Sequence, residues 1–156
     1  MTSGEELKAV MQRYPTGVAV VTVDLEGEKL GLTVASLVSV ALEPPLVGIS
    51  IAHQAALHEL LRSAGGFAVS LLAADQAELA QHFARGVPPI ALWHGIDKRD
   101  AVRGPLLAGA LGWLECVLAG EYEAGDHTLF VGRVERAEPG EQGEPLLRLG
   151  GDYRAA

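Results

Sequence analysis

Cysteine is almost missing from the 156-residue chain. Cys116 stands alone, so no internal disulfide can form, and zinc ribbons or iron–sulfur clusters built from several thiolates are excluded. Any redox chemistry must come from a bound group. Basic residues are also scarce, twelve Lys+Arg against twenty Asp+Glu for a formal charge of −8. That is the wrong field for attracting a phosphate backbone, and no nucleic-acid partner is expected. No run of about 18 apolar residues occurs, and Met1 to Glu6 carry two acids and no basic n-region, so a cytoplasmic protein without a membrane partner is the default expectation. Asn is absent and Met appears twice, which suits a heat-adapted source or a GC-rich genome. The Gly-x-Ser-x-Gly elbow, His-Glu-x-x-His, the Walker cradle and Gly-x-Gly-x-x-Gly are all missing.

What is present is an apolar chain, 49% hydrophobic and 21% charged, of the right size for one domain spanning 1–156 with a core of its own. Thr2-Ser3-Gly4-Glu5 resembles a capping box, and Leu7, Val10, Met11 and Tyr14 follow at helical spacing until Pro15. Gly17 to Asp24 is β-branched and apolar on both faces, a covered strand turning at Glu26-Gly27-Glu28. Leu30 to Leu42 continues as strand, studded with Gly31, Ala35, Ser36 and Ser39, and stops at Glu43-Pro44-Pro45. Leu46 to Ile51 is a further strand. Helices are expected over Ala55 to Ser63 and after Asp75, read as an N-cap, with the strand Gly66 to Leu72 between them. Arg85 to Arg103 has loop composition. Ala110 to Glu123 and Thr128 to Ala137 form a hairpin through Ala124-Gly125-Asp126, and Pro145 to Tyr153 adds a short strand. Six or seven closely connected strands and three short helices make the fold mainly β, an antiparallel barrel with helices packed on it. Sheet faces this apolar favour a homodimer.

Candidate chemistry is thin. Cys116 sits mid-strand without a basic neighbour in sequence and reads as a packed, inert thiol. His53, His58, His82, His94 and His127 lack metal-ligand spacing, and no metal is expected. Trp93 and His94, in the long loop, fit a lid or ordinary packing equally. The small and hydroxyl-bearing residues of Gly31 to Pro45 suit either the close approach of a flat heteroaromatic ring or a plain edge strand.

Five segments in order change this balance. Tyr14-Pro15-Thr16-Gly17-Val18, Gly31-Leu32-Thr33-Val34-Ala35-Ser36 with Ser39-Val40 and Pro44-Pro45-Leu46, Phe67 to Leu72 leading to Leu79-Ala80-Gln81-His82-Phe83, Gly125-Asp126-His127-Thr128 with Val131 to Val134, and Pro145-Leu146-Leu147 with Gly150 to Tyr153 resemble the flavin reductase-like family over nearly the whole chain. The resemblance implies an antiparallel split β-barrel, FMN or FAD as flavin, NAD(P)H as co-substrate, and service as the reductase of a two-component flavin monooxygenase. It implies a flavin ring against Thr33, Val34, Ala35 and Ser36, touched also by Ser50 and Ile51. Where the family offers Ser and Thr hydroxyls to the flavin phosphate, this chain reads Ile51 to Leu57 without them. His53, Gln54, the amides from Ala55 and Arg85 are left as phosphate partners, since helix N-termini favour anions. His127 corresponds to the family histidine beside the nicotinamide; a turn histidine after Asp126 is the plain alternative. The departure after Ile51 also leaves open a flavin-binding electron carrier or sensor without free-flavin turnover.

Overall fold

The computed structural model describes all residues, 1–156. Helix α1 (Gly4–Met11) starts on a reciprocal cap: Ser3 Oγ accepts from Glu6 N at 3.1 Å, and Glu6 Oε1 accepts from Ser3 N at 3.0 Å. The cap therefore belongs to Ser3 and Glu6, the Ser-x-x-Glu spacing that lets both free amides find partners. None of α1 is buried, and its apolar residues Leu7, Val10 and Met11, like Tyr14 beyond it, face outward.

Strands β1 (Thr16–Gly17), β2 (Ala19–Leu25), β3 (Glu28–Val34), β4 (Val38–Leu42) and β5 (Pro45–Ala52) lead to helix α2 (Ala56–Ala64) and strand β6 (Gly66–Leu71). Helices α3 (Ala77–Ala84) and α4 (Pro89–Leu92) and strands β7 (Lys98–Arg99) and β8 (Leu106–Leu107) precede two 13-residue strands, β9 (Gly112–Ala124) and β10 (His127–Pro139). Strands β11 (Leu146–Leu149) and β12 (Asp152–Ala155) close the chain. The main sheet runs β3-β2-β6-β9-β10-β5-β4, antiparallel throughout; β1-β11-β12 form a second sheet and β7-β8 a third.

Two readings of the sequence are corrected at once. The stretch Leu30 to Leu42 is two strands, and they lie at opposite edges of the seven-stranded sheet, joined only by Ala35, Ser36 and Leu37. Four Cα steps span at most ~15 Å, whereas the edges of a flat sheet of this width would stand ~29 Å apart. The sheet must curl, and Ser36 clips the crossing to β5: its Oγ accepts from Ser50 N at 3.0 Å and donates to Ser50 O at 3.2 Å. With no β3–β4 ladder the curl remains split.

Gly31 is small for a reason other than an approaching ligand. A Cβ there would stand 2.8 Å from the Phe83 ring, so α3 packs through this position. Gly132 answers the same need at the centre of the sheet, beside a β-bulge, where a Cβ would meet Phe67 at 2.6 Å. The core gathers Val20, Val21, Val23, Ile49, Phe67, Val69 and Phe130 from the strands and Leu61 from α2, all fully buried. Burying side chains of this size contributes about 1.5–3 kcal/mol each, which is why the valine-rich strands settle inward.

Smaller corrections follow. The residue before α3 is Gln76, not Asp75, and its amide oxygen accepts from Ala73 N. The 85–103 loop holds α4 and β7, and Trp93 is packing there: its Nε1 donates to Lys29 O at 2.9 Å and its ring meets Phe83. The tail is a pair of strands turning at Gly150 and Gly151, both in the left-handed region that suits glycine.

Candidate functional site

The crossing between β3 and β4 divides the expected site residues between two places. On one side, Thr33, Val34 and Ala35 line a hollow together with Val18, Ala84, Arg148 and Tyr153. Thr33 reaches this position with its hydroxyl already committed, donating to Ala80 O at 2.6 Å and pinning α3 against β3. Val34 is buried, and Ala35 and Ala84 keep the floor low. Arg85, at the end of α3, lines an adjoining hollow with Arg148, Gly151 and Tyr153. Sequence reasoning missed Arg148 and Tyr153. The Arg148 guanidinium stacks 4.5 Å over the Tyr153 ring, and only the β11–β12 pairing of Arg148 with Tyr153 brings the two together.

On the other side, Ser50 is tied to Ser36, and Ile51 is buried in the core. Beyond them stands a polar chain. His58, buried on α2, meets Thr128 Oγ1 through Nε2 at 2.7 Å; Thr128 donates to Glu123 Oε1 at 3.0 Å; Glu123 Oε2 meets His53 Nε2 at 2.7 Å. Since Thr128 spends its proton on Glu123, Nε2 of His58 is the donor in the first of these bonds. The Thr128 hydroxyl, with His53 adding to it, holds the Glu123 carboxyl below its ordinary range. Alongside, His127 Nδ1 lies 2.7 Å from Asp126 Oδ1, which lowers that carboxyl as well. His127 stands opposite Ala52 in the β10–β5 ladder, and Asp126 O accepts from His53 N at 2.9 Å, so the hairpin tip is bound to the end of β5.

His53 is thus engaged by a carboxylate. Gln54 is exposed, and Ala55 is the N-cap of α2 without a side-chain cap. Arg85 is separate from these three and faces the Thr33–Ala35 side. Cys116 is fully buried, and that burial pushes its thiol up to about 12; it is no nucleophile at neutral pH.

The hollow on Thr33–Ala35 offers dry walls and a floor free of bulk, and the hairpin tip offers an oriented histidine. Small residues on the floor of the hollow and a carboxylate-held histidine at the tip are compatible with the planar ligands that the resemblance implies.

Comparison with known proteins gives the same direction. Residues 11–156 match the family described as flavin reductase like domain. The chain is 41% identical over 158 residues to an NADH-dependent FAD reductase of Streptomyces globisporus, covering 96% of this chain and 84% of that protein. It is 40% identical over 151 residues to the reductase component of 4-hydroxyphenylacetate 3-monooxygenase of Thermus thermophilus, covering 96% and 95%. Among solved structures, BorF, the flavin reductase component of a bacterial two-component tryptophan halogenase, superposes with a TM-score of 0.90 at 38% identity over 98% of each chain. On the strength of a curled, split antiparallel sheet and a match that runs nearly its full length, the chain belongs to the flavin reductase-like family.

Proposed function

We propose that this protein is an NADH-dependent flavin reductase, an oxidoreductase of the NAD(P)H:flavin class, which passes reduced FMN or FAD to a partner monooxygenase. The observation that carries the reading is similarity at about two residues in five, over 96% of the chain, to proteins named for that activity. A bound flavin accepts the hydride that the nicotinamide gives up. The protein's part is alignment at near-contact distance and exclusion of water. Val18 and Val34 wall the hollow, Ala35 and Ala84 leave space for the ring, and the Thr33–Ala80 bond keeps that floor rigid. Ser36 and Ser50 hold the crossing in register beside it. On this reading His127, held at Nδ1 by Asp126, is the residue that orients the nicotinamide.

The proposal includes a single domain over 1–156, a cytoplasmic location and a homodimer. Support for the dimer comes from the outer face of β4, β5 and β10. Val38 and Val40 are each 51% exposed and Leu42 87%. Val38, Val40 and Leu129 crowd around Gly48, and Leu129 pairs with the exposed Tyr122. An apolar face of this kind is what a second copy covers.

The experiment is NADH oxidation followed by absorbance with and without FMN or FAD. Rapid, flavin-dependent oxidation with weakly held flavin supports the proposal. Stoichiometric, tightly retained flavin without turnover points to an electron carrier instead, and no flavin dependence of any kind sinks both.

A further inference from the structure

His127 stands on the last rung of two ladders. It pairs with Ala124 of β9 on one side and with Ala52 of β5 on the other, and beyond it the chain turns through Gly125 and Asp126. Terminal rungs fray, because a residue at the end of a ladder is supported from one direction only. A ring offered to a ligand from such a place is only as steady as whatever ties the turn down. Asp126 cannot do this alone, since its carboxylate is almost fully exposed and belongs to the same turn.

The tie comes from the opposite face of the strand. Side chains alternate along β10: Thr128 and Phe130 are fully buried, while His127 is half-exposed and Leu129 exposed. Glu123 pairs directly across from Thr128 and so shares its face. Its two oxygens go to different elements: Oε1 accepts from Thr128 Oγ1 at 3.0 Å, and Oε2 lies 2.7 Å from Nε2 of His53, the residue that follows β5. His53 closes the ring of contacts through its backbone, whose N–H donates to Asp126 O at 2.9 Å, one step past the last rung. A buried imidazole backs the arrangement: His58 reaches Thr128 Oγ1 at 2.7 Å and stands edge-on to His53, with ring centroids 5.2 Å apart. The side chains of His53 and Glu123 are 40% and 68% exposed, so their pair contributes little to global stability. What it fixes is the turn.

We propose that Glu123 and His53 are positioning residues for the reaction with NADH: they clamp the turn to the end of β5 from one face of β10 and so hold still the backbone from which His127 projects on the other. The proposal rests on the flavin reductase reading and adds to it two side chains that act through His127 rather than on a ligand. It also gives His53 a role other than the phosphate contact expected from the sequence, since its Nε2 is spent on Glu123 and its N–H on Asp126. Such a clamp acts as a unit, because removing either member frees the same turn.

The test is a double-mutant cycle on the full chain, His53→Ala, Glu123→Ala and the two combined, assayed for the KM of NADH at saturating FMN and for the KM of FMN at saturating NADH. Each single change raises the KM for NADH about fivefold with kcat within about twofold of wild type, and the double change stays near fivefold instead of reaching the roughly 25-fold of two independent losses. The KM for FMN does not move. Glu123→Gln, which still accepts from Thr128, recovers part of the loss and carries the test if Glu123→Ala fails to fold. Amide exchange reads the clamp without any ligand: in Glu123→Ala the His53 N–H exchanges about tenfold faster, while amides at the centre of the sheet keep their rates. An unchanged KM for NADH, an unchanged exchange rate or losses that multiply would overturn the clamp. A rise in the KM for FMN confined to His53→Ala would overturn it too and make His53 a flavin contact. Wild-type protein without flavin-dependent NADH oxidation overturns the reductase reading itself, a result distinct from an active enzyme that the variants leave undisturbed.

Discussion

The hairpin tip and the hollow beneath Arg148 lie on either side of one short crossing, yet they treat charge in opposite ways. At the tip, His53 faces Glu123, His127 faces Asp126, and buried His58 reaches the same carboxylate through Thr128. At the hollow, Lys8, Arg85 and Arg148 form no ion pair although Asp152 lines it too, and the Thr16 hydroxyl has no hydrogen-bond partner. Satisfied polar groups lock backbone elements to one another, here α2, β5, β9 and β10. Unsatisfied ones do nothing for the fold alone. The tip is therefore held rigid by its polar groups, while those at the hollow add little to the fold.

If this division is right, mutations should sort by side. The largest effect is His58→Ala, which removes a buried ring and leaves Thr128 short of a partner. It should cost about 2–4 kcal/mol in urea unfolding, and a cost under about 0.5 kcal/mol would erase the contrast. Next comes Thr128→Val, which keeps the volume but strands the buried His58 Nε2, for about 1–3 kcal/mol by the same measurement. His127→Ala is expected to shift function more than stability. Its ring is half-exposed, so the KM for NADH should rise about tenfold while unfolding changes by less than about 0.5 kcal/mol.

The acid limb sharpens the comparison further. Hydrogen bonds from Thr128 and His127 hold Glu123 and Asp126 below the usual carboxylate range. A depressed folded value means that this stability is present above the unfolded pKa near 4 and is lost as pH falls through the folded value. Melting temperature plotted against pH should drop less steeply there in Glu123→Gln than in wild type. The smallest effect belongs to the hollow: Lys8→Ala should leave unfolding within about 0.5 kcal/mol of wild type, because that cation has no pair to lose.

Legibility in the sequence followed locality. Helices α1, α2 and α3, the β9–β10 hairpin and the inert Cys116 were readable, since periodicity, turn residues and neighbours carry them, whereas the single turn of α4 inside the 85–103 loop was not. The break inside Leu30 to Leu42 was not. Thr33, Val34, Val38 and Val40 have strand character on both sides of it, and only the sheet order shows that the two halves sit at opposite edges. Gly31 looked like space for a ligand and turned out to be space for Phe83, 52 residues away. Thr33 and Ser36 were named as flavin neighbours, but that their hydroxyls bond to Ala80 and Ser50 depends on tertiary packing. Arg148 escaped notice because a lone arginine in a short tail strand carries no pattern; only the fold sets it over Tyr153 and into one hollow with Thr16 and Lys8, more than 130 residues earlier.

The crossing at Ala35, Ser36 and Leu37 also works as a leash. Strand edges held only by hydrogen bonds can part when a ladder frays, but these two edges are tethered by covalent chain with almost no slack. The split side of the sheet can open no wider than that leash allows, so entry of a large planar ligand cannot proceed by spreading the barrel there. Lengthening the crossing by two or three residues would loosen the leash, and the grip on the ligand should weaken even though every contacting side chain is still in place.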